Sequence, residues 1–513
     1  MAGGVTPVGP STAPAAPATG GAQRRSSHLA ELPSADFELI IIGAGPAGLA
    51  AAELAARLGA RVALIERAEL GGTSLNTGSI PSKSFVRSAR LFAAVRDARR
   101  LRTAGHREPP ADLKLVLERI GTARTRLARQ HSVEHLRGLG VEVLFGESRF
   151  NSDRSVVVGD STLRFDHALI ATGARPAPLA STVVGDGVYL TSETIFALGA
   201  LPSRLAVVGG GPLGCELAQA FCRLGSSVTI IQDEAKFLPR EERDAAQLLA
   251  ESLAGDGVDV LLNTSVVAIR KDGNFTCLET LSNEVRGQVV ADQVLVSVGR
   301  MANVEGLGLD CAGIEIGRDG EIRVDDFLRT TNPHVYAAGD VCMSHKFTHV
   351  AESTARLAIY NVLRGTQQRH ADLTIPWCTF CDPEIAHVGL QVWEARAQSI
   401  PVKTFTVIMQ DVDRAITDGQ DRGFVKLHVR EGSDTIIGAT IVASRASEMI
   451  NELCVAIGSG IGLRKLASTV HTYPTQSDAI RVAAMDFVGE SAVESRREAS
   501  AAVDAASAGR RVW

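Results

Sequence analysis

A glycine-rich unit that occurs twice constrains this sequence more than any other feature. Residues 37–66 read FELIIIGAGPAGLAAAELAARLGARVALIE, an apolar strand that runs into Gly43, Gly45 and Gly48 and then into an alanine-rich helix. The three glycines allow a tight turn, a close approach of phosphate to the backbone and close packing of helix on strand. The free N–H groups of the helix start suit a pyrophosphate. Glu66 ends the second strand, where it can accept hydrogen bonds from ribose hydroxyls.

The second copy of the unit occupies residues 204–232, RLAVVGGGPLGCELAQAFCRLGSSVTIIQ. Its glycines are Gly209, Gly211 and Gly214, and Gln232 ends its second strand at the spacing of the acidic residue in the first copy. Two dinucleotide sites in one chain predict that two dinucleotides exchange electrons. One is usually a bound flavin and the other a diffusing nicotinamide.

The end of the second strand bears on the choice of nicotinamide cofactor. Gln232 is neutral, and the following Asp233 would repel a 2′-phosphate at close range. Arg240 and Arg243 could still reach the site from the next loop and favour NADP. The balance favours NADH.

Length and charge narrow the class of protein. The chain has 513 residues, which suggests about three domains, and its net charge of −5 gives no reason to expect nucleic acid as a partner. No run of 18 apolar residues occurs, so we expect no membrane span. The 8 cysteines are scattered, which is typical of reduced thiols in a cytoplasm, and no metal-ligand spacing stands out.

The two ends of the chain read as poorly ordered. Residues 1–35 are rich in Ala, Pro, Gly and Ser without periodicity, which predicts a disordered arm, and an organellar transit peptide stays possible there. Residues 489–513 read as a flexible tail.

A motif directly after the first unit, GGTSLNTGSIPSK at residues 71–83, has the form of a redox motif without its redox atoms. Cysteines at Ser74 and Ser79 would form a dithiol beside a flavin. Serine cannot form a disulfide, and its hydroxyl does not ionise near neutrality as a tuned thiol does.

Further motifs follow in the order of a known family. They are ATGARP (171–176), VSVGRMAN (296–303), TNPHVYAAGD (331–340), WCTFCDPEIAHVGL (377–390) and HTYPTQSD (471–478). From about residue 36 to 486 the chain resembles the two-dinucleotide flavoprotein disulfide reductases, such as glutathione reductase, dihydrolipoamide dehydrogenase and mercuric reductase. The runs FTHVAESTARLAIYNVL and DVDRAITDG look most like the mercuric-reductase-like branch.

The resemblance implies an α/β fold with two doubly wound, Rossmann-like domains and a C-terminal α+β dimerisation domain. The FAD-binding domain would span 36–178 and 303–372, the NAD(P)-binding domain 179–302 and the dimerisation domain 373–488. It also implies a homodimer in which the loop around Tyr473 reaches the partner's flavin.

The resemblance implies roles for several residues. Lys83 would lie against the flavin and Glu216 would pair with that lysine; Asp340 would hold the ribityl chain of FAD. The motifs add cofactor-binding residues to the two glycine turns, namely Gly72, Thr73, Thr172, Gly173 and Gly299.

Departures from the family pattern concern the disulfide half of the reaction. The family has redox cysteines where this chain has Ser74 and Ser79, and it has an acid/base histidine where this chain has Tyr473. His471 stands two residues earlier, and Asp478 matches the carboxylate that orients the family's histidine. The chain also ends without the C-terminal cysteine pair that mercuric reductases need.

Two weaker signals stay open. Cys378-x-x-Cys381 has the spacing of a redox pair, but it lies in a strand-like run, so an incidental pair is the favoured interpretation. His349 lies where substrate-side residues of the family approach the flavin, and a packing role is equally compatible with its position.

The sequence therefore predicts an FAD-dependent NAD(P)H oxidoreductase without a dithiol relay, which passes electrons to a quinone-like or other small acceptor. Three alternatives remain. The first is a flavin oxidase or dehydrogenase that acts directly on an organic substrate, the second a non-catalytic flavoprotein scaffold, and the third a Cys-to-Ser form of a disulfide reductase.

Overall fold

A computed structural model describes residues 35–98, 111–179 and 188–508, with side chains described up to residue 493. The disordered arm predicted at the N-terminus therefore falls outside the described residues, except for Ala35.

The strands of the described residues are, in chain order, β1 (Phe37–Ile42), β2 (Val62–Glu66), β3 (Glu142–Phe145), β4 (Ser148–Ser152), β5 (Ser155–Val158), β6 (Ser161–Ile170), β7 (Ala174–Pro176), β8 (Arg204–Val208), β9 (Ser227–Ile231), β10 (Val258–Leu261), β11 (Thr264–Asp272), β12 (Phe275–Ser282), β13 (Val285–Ala291), β14 (Gln293–Val296), β15 (Arg300–Ala302), β16 (Val335–Ala337), β17 (Pro376–Thr379), β18 (Glu384–Gly389), β19 (Val402–Ile408), β20 (Phe424–Arg430) and β21 (Ile436–Ala443).

The α-helices of the same residues are α1 (Pro46–Arg57), α2 (Gly72–Asn76), α3 (Ser79–Ala98), α4 (Leu113–Ala128), α5 (Val133–Gly138), α6 (Pro212–Leu224), α7 (Arg243–Asp256), α8 (Thr348–Arg364), α9 (Val392–Ala397), α10 (Asp413–Asp418), α11 (Ala446–Gly458), α12 (Leu463–Ser468) and α13 (Asp478–Ala508).

The first glycine-rich unit is the centre of a large sheet. Its parallel part has the order β3-β2-β1-β6-β16, and an antiparallel extension runs from β6 through β5 to β4. All five residues of β2 are buried, as is typical of parallel strands that are covered on both faces. Helices α1 and α8 pack together over this sheet and share one hydrophobic core.

The second unit repeats the arrangement in a sheet of order β10-β9-β8-β14, with every pair parallel. A three-stranded antiparallel sheet, β11-β12-β13, follows β10 in the chain. The strand orders place β1 and β8 at equivalent positions, so that each glycine-rich turn leaves the carboxyl edge of its sheet. Ligands bind at this edge in open α/β sheets.

The C-terminal part is an antiparallel sheet of order β17-β18-β21-β20-β19, which packs against α11 and α13 around its own core. The predicted fold class is thereby confirmed. The boundaries proposed between the three domains remain predictions.

A shared core connects α3, the second unit and the C-terminal sheet. It contains Phe85, Phe221 and Phe424, and the rings of Phe85 and Phe221 lie 4.7 Å apart between centroids. This packing fixes α3 against α6, which matters because Lys83 lies on α3 and Glu216 lies on α6.

The end of the chain differs from the prediction. Helix α13 continues from Asp478 to Ala508, where the sequence analysis expects a flexible tail from residue 489. The segment is rich in Ala, Glu and Arg, all strong helix formers, and composition alone does not distinguish such a helix from a solvated tail. Residues 509–513 lie outside the described residues.

Candidate active site

The first glycine turn is shaped by steric necessity. Gly43 has φ +101°, and a Cβ atom there would lie 2.5 Å from the carbonyl oxygen of Ala171, in the turn that follows β6. A Cβ atom on Gly48 would lie 1.8 Å from the carbonyl oxygen of Gly43, so strand and helix are as close as the motif predicts. Only glycine fits at these two positions.

The acidic end of β2 closes the same turn. Glu66 is buried, and its Oε2 atom accepts a hydrogen bond of 2.8 Å from the N–H of Ala44, while Oε1 accepts one of 2.9 Å from Ala68. The carboxylate is therefore held at the mouth of the turn. Each oxygen retains a further lone pair for a ribose hydroxyl.

Three turns meet at one edge of the sheet. Strands β1 and β16 both pair with β6, so the segments after them, at Gly43, Thr172 and Asp340, leave neighbouring strands in the same direction. Gly72 approaches from the next segment, since a Cβ atom on it would lie 2.6 Å from Cα of Gly45. Thr73 follows Gly72 in the first turn of α2. Glycine faces glycine here, which leaves a backbone cradle of the kind that a dinucleotide needs.

Asp340 is mostly buried in this cradle. Its carboxylate lies 3.4 Å from Nε of Arg300, and burial raises the pKa of the carboxyl, although Arg300 and Lys346 oppose the shift. The residues present fit FAD, because the glycine cradle, Glu66 and Asp340 supply a pyrophosphate turn and two oxygen-rich anchors for hydroxyls.

Two hydrogen bonds between Thr172 and Asn303 hold the turn after β6 in place. The Thr172 hydroxyl donates to the carbonyl oxygen of Asn303 at 2.8 Å, and the Asn303 side-chain amide donates to the Thr172 carbonyl at 2.9 Å. Gly173 and Gly299 both have positive φ, at +69° and +120°, with open space where a Cβ atom would be. Sequence reasoning missed Asn303, which ends the VSVGRMAN motif.

The second glycine turn matches the first almost atom for atom. Gly209 has φ +104°, and a Cβ atom on it would lie 2.4 Å from the carbonyl oxygen of Ser297. A Cβ atom on Gly214 would lie 2.1 Å from the carbonyl oxygen of Gly209. Gln232 accepts a hydrogen bond of 2.6 Å from Gly210 N–H, the counterpart of the bond that Glu66 makes. Gly211 faces open space.

The predicted lysine–glutamate pair is formed. Lys83 on α3 donates to Glu216 on α6 over 2.7 Å, and Glu216 is only 2% exposed. The other carboxylate oxygen accepts a bond of 3.0 Å from the backbone N–H of Phe380, whose ring lies 4.4 Å below the ammonium group. Phe380 thus belongs to the site, and its place between two cysteines was the only signal for it in the sequence.

The two serines of the redox-like motif are also brought together. Ser74 Oγ lies 3.0 Å and Ser79 Oγ 3.3 Å from the same atom, Oγ1 of Thr348 at the start of α8. Thr348 was missed by sequence reasoning. Its position as the first residue of a helix directly after the Asp340 motif was the available signal.

The candidate residues of the C-terminal loop, Tyr473, His471 and Asp478, do not bind one another within one chain; each has a different partner. Tyr473 is 70% exposed and donates to Asp413 over 2.7 Å, which raises the pKa of the phenol. His471 instead contacts Glu452 at 2.7 Å through Nε2 and the carbonyl oxygen of Thr469 at 3.0 Å through Nδ1. Both nitrogens of this histidine are engaged.

The carboxylate of the same loop has its own partner. Asp478 binds Arg481 at 2.7 Å in the first turn of α13. Neither Asp413 nor Glu452 was expected from the sequence.

The Cys378 and Cys381 pair lies beside the lysine–glutamate pair, and its environment favours the protonated thiols. Cys378 lies in β17, and Cys381 is buried. Burial raises the pKa of each thiol well above the usual value for cysteine, and the negative charge of the neighbouring Glu216 raises it further. Neither thiol is activated as an attacking thiolate, which agrees with an incidental pair.

His349 accompanies this part of the site. Its Nε2 atom contacts the carbonyl oxygen of Pro376 at 2.8 Å, and its ring stacks on Phe347 with centroids 5.4 Å apart.

A buried acid lies behind the site. Glu241 is 4% exposed and accepts a hydrogen bond of 3.0 Å from the indole N–H of Trp377. Its second oxygen has no hydrogen-bond partner among the described residues. Burial raises the pKa of this carboxyl to about 7.

Comparison with known proteins agrees with this geometry. The family profile described as "Pyridine nucleotide-disulphide oxidoreductase" matches residues 37–355, and the profile of its dimerisation domain matches residues 375–484. The chain belongs to the pyridine nucleotide-disulphide oxidoreductase family. It is an FAD-dependent pyridine nucleotide oxidoreductase, as predicted.

Individual relatives cover nearly the whole described chain. A mercuric reductase of Acidithiobacillus ferrooxidans is 35% identical over 88% of this chain and 83% of its own length. A dihydrolipoyl dehydrogenase of Thermus scotoductus is 33% identical over 87% and 96%, respectively. The crystal structure of LpdA from Mycobacterium tuberculosis superposes with a TM-score of 0.80 at 30% identity, over 88% of this chain and 99% of that one.

Two kinds of feature are absent from the described residues. They contain no group of three or more His, Cys, Asp and Glu side chains arranged to hold a metal ion. None of their helices combines the length and apolar character that a membrane crossing requires.

Proposed function

We propose that this protein oxidises NAD(P)H through FAD and passes the electrons to a small acceptor that is not a disulfide, with a quinone-like compound favoured. A single observation carries the proposal. The charge pair of Lys83 and Glu216 is intact, whereas hydroxyls stand at Ser74 and Ser79, where the family resemblance implies the two redox thiols.

Bound FAD would supply the redox chemistry that side chains lack, namely hydride acceptance from a nicotinamide and electron transfer to a second substrate. The chain's own residues bind and orient. Gly43, Gly45, Gly48, Glu66 and Asp340 would hold FAD, and the turn from Gly209 to Gly214 would hold the nicotinamide dinucleotide.

Lys83 supplies a fixed positive charge. Glu216 and the Phe380 ring hold the ammonium group in one position, 2.7 Å from the carboxylate and 4.4 Å from the ring centroid. A preorganised cation stabilises negative charge that develops nearby without reorganisation during the reaction.

NADH is the preferred donor in this proposal. The guanidinium of Arg243 donates to the carbonyl oxygens of Phe237, Leu238 and Glu241, so it is occupied within its own loop. Arg240 is exposed. Asp233, which follows Gln232, carries a negative charge that repels a 2′-phosphate.

We further propose a homodimer that carries one site per chain, with the Tyr473 loop supplied to the partner's site. The support is the match of the dimerisation domain and the exposure of Tyr473 and of Val470, which is 96% exposed. The cytoplasmic location expected from the scattered thiols stays a prediction.

An acceptor panel tests the proposal. Purified holoenzyme is mixed with NADH, and its oxidation is followed with 1,4-naphthoquinone, oxidised lipoamide, oxidised glutathione or Hg(II) as acceptor. We expect turnover with the quinone and none above background with the others. Steady turnover of either disulfide or of Hg(II) would contradict the proposal.

A further inference from the structure

Three hydroxyl groups lie close together at the start of α8. Thr348 Oγ1 lies 3.0 Å from Ser74 Oγ and 3.3 Å from Ser79 Oγ, and all three side chains are half-buried. We call Ser74, Ser79 and Thr348 the hydroxyl triad. Its members come from α2, α3 and α8, so the contact depends on the tertiary fold.

Counting protons shows that the hydroxyl triad keeps an unused donor. Each hydroxyl carries one proton and two lone pairs, so the triad has three protons for two mutual contacts. The three hydroxyl oxygens make no other hydrogen bond within residues 35–98, 111–179 and 188–493. One O–H group is therefore left to donate to an oxygen of a bound molecule.

Aromatic rings flank Thr348 on either side in the chain. The Phe347 and His349 rings are parallel within 7°, with centroids 5.4 Å apart, and His345 lies 6.2 Å from Phe347. His349 is exposed and Phe347 is half-buried, so part of this ring surface is accessible. A flat ring system is the kind of ligand that aromatic side chains stack against.

We propose that the hydroxyl triad hydrogen-bonds the carbonyl oxygen of a planar, quinone-class acceptor, and that Thr348 sets the specificity of the site for such an oxygen. The inference rests on the proposed function and names the substrate class of the same site. A dithiol needs a sulfur electrophile as its partner, whereas a preorganised O–H donor favours an oxygen that gains negative charge.

The overall reaction balances with the donor already proposed. NAD(P)H, one proton and the quinone give NAD(P)+ and the hydroquinone. The quinone gains two electrons and two protons, one of which derives from the hydride of NAD(P)H and the other from solvent. The free O–H of the hydroxyl triad stabilises the carbonyl oxygen while its charge builds up.

Two substitutions at one position test the proposal. Thr348→Val keeps the shape and removes the hydroxyl that orients the two serine hydroxyls, so that no O–H group is preorganised, whereas Thr348→Ser keeps that hydroxyl. For Thr348→Val we expect about a tenfold increase in the KM for 1,4-naphthoquinone and in the dissociation constant of 1,4-dihydroxynaphthalene for the oxidised holoenzyme, the effect of about one hydrogen bond. Thr348→Ser and the exposed control Ser344→Ala should stay within about twofold of the unaltered protein, and the KM for NADH should not follow the KM for the quinone.

The dissociation constant of 1,4-dihydroxynaphthalene is measured by calorimetry. It distinguishes a failure of this proposal from a failure of the proposed function. If NADH fails to reduce the flavin of the unaltered protein, the proposed function is wrong. If NADH reduces it but Thr348→Val binds the hydroquinone as tightly as the unaltered protein, the hydroxyl triad has no such role. Should Thr348→Val lose its FAD, the double variant Ser74→Ala/Ser79→Ala provides the same comparison, because it removes both contacts that orient the Thr348 hydroxyl, and wild-type hydroquinone affinity in it would overturn the proposal.

Discussion

At the scale of single residues, the site combines a rigid charge with neutral hydroxyls. Lys83 and Glu216 were predictable, because the resemblance to the flavoprotein disulfide reductases implies both of them. Phe380 and Thr348 were not. Their contacts join segments far apart in the chain, and no local pattern specifies which side chains meet across such distances.

Removing the positive charge of Lys83 should lower both the stability of the protein and the rate of flavin reduction. Lys83→Met leaves Glu216 buried with only the Phe380 N–H as partner, so we expect a loss of about 2 kcal/mol, less than for a fully buried pair because the lysine is 35% exposed. Flavin reduction by NADH, measured by stopped-flow absorbance, should slow by about 100-fold.

The double variant Lys83→Met/Glu216→Gln sharpens this test, since a neutral amide still accepts the Phe380 N–H. It should recover most of the melting temperature but not the rate. The exposed Lys236→Met serves as control and should change neither. Recovery of the reduction rate in the double variant would show that the charge of Lys83 is unimportant.

Glu241 should make stability depend on pH. Its pKa is raised by burial from 4.5 to about 7, so the folded state retains a proton that the unfolded chain releases. This contribution is fully present below pH 4.5 and is lost as the pH rises through 7, up to about 3 kcal/mol. Glu241→Gln still accepts the Trp377 N–H, so its melting temperature should exceed that of the unaltered protein by more at pH 8 than at pH 5.

The neighbouring Glu242 is the matched control. Burial opposes ionisation there, but hydrogen bonds from His428 and Lys426 prevail and lower the pKa to about 2. Its carboxylate stays ionised from pH 5 to 8, so Glu242→Gln should lower the melting temperature throughout this range instead of raising it at high pH. A pH-independent difference for Glu241→Gln would show that the carboxyl titrates normally.

At the scale of elements, the two glycine turns were predictable in detail and the end of the chain was not. Each turn is a local structure whose φ angles and close approaches only glycine tolerates, so the sequence specifies it directly. Helix α13 contains residues that suit either a helix or a solvated tail. The partners of His471 and Asp478 also escaped prediction, because Glu452 and Arg481 are ordinary helix residues.

Gly211 allows a clean test of the second turn. It has no positive φ and nothing lies within 4 Å of a hypothetical Cβ, so Gly211→Ala should fold normally and retain FAD. The methyl group would meet the approaching phosphate, and we expect the KM for NADH to rise at least about tenfold.

Gly255→Ala, in the last turn of α7 and equally uncrowded, is the matched control. It should leave the KM for NADH unchanged and stabilise the helix by up to about 1 kcal/mol. An unchanged KM in Gly211→Ala would place the nicotinamide dinucleotide elsewhere.

At the scale of the whole molecule, the two dinucleotide units and the C-terminal sheet follow from motif order, which is why the fold class was predictable. We propose that the choice of acceptor depends on the junction of α2, α3 and α8, which no single element encodes. For the complete protein we propose that electrons enter as in the family and leave without a dithiol.

Restoring the thiols tests whether the rest of the protein still suits disulfide chemistry. Ser74→Cys/Ser79→Cys should form a disulfide, because both side chains already reach the same atom of Thr348. Turnover of oxidised lipoamide should nevertheless stay near background, since Tyr473 stands before Pro474 and is bound to Asp413. A thiol titration verifies the disulfide, and turnover as fast as flavin reduction would show that the serines alone abolish the activity.

The most direct measurement is an anaerobic titration of the holoenzyme with NADH, followed by its absorbance spectrum. A flavin alone takes two electrons, so about one equivalent of NADH per FAD should bleach it completely, without a long-wavelength band between thiolate and flavin. Consumption of a second equivalent before full bleaching, together with such a band, would reveal a redox-active dithiol and contradict the account.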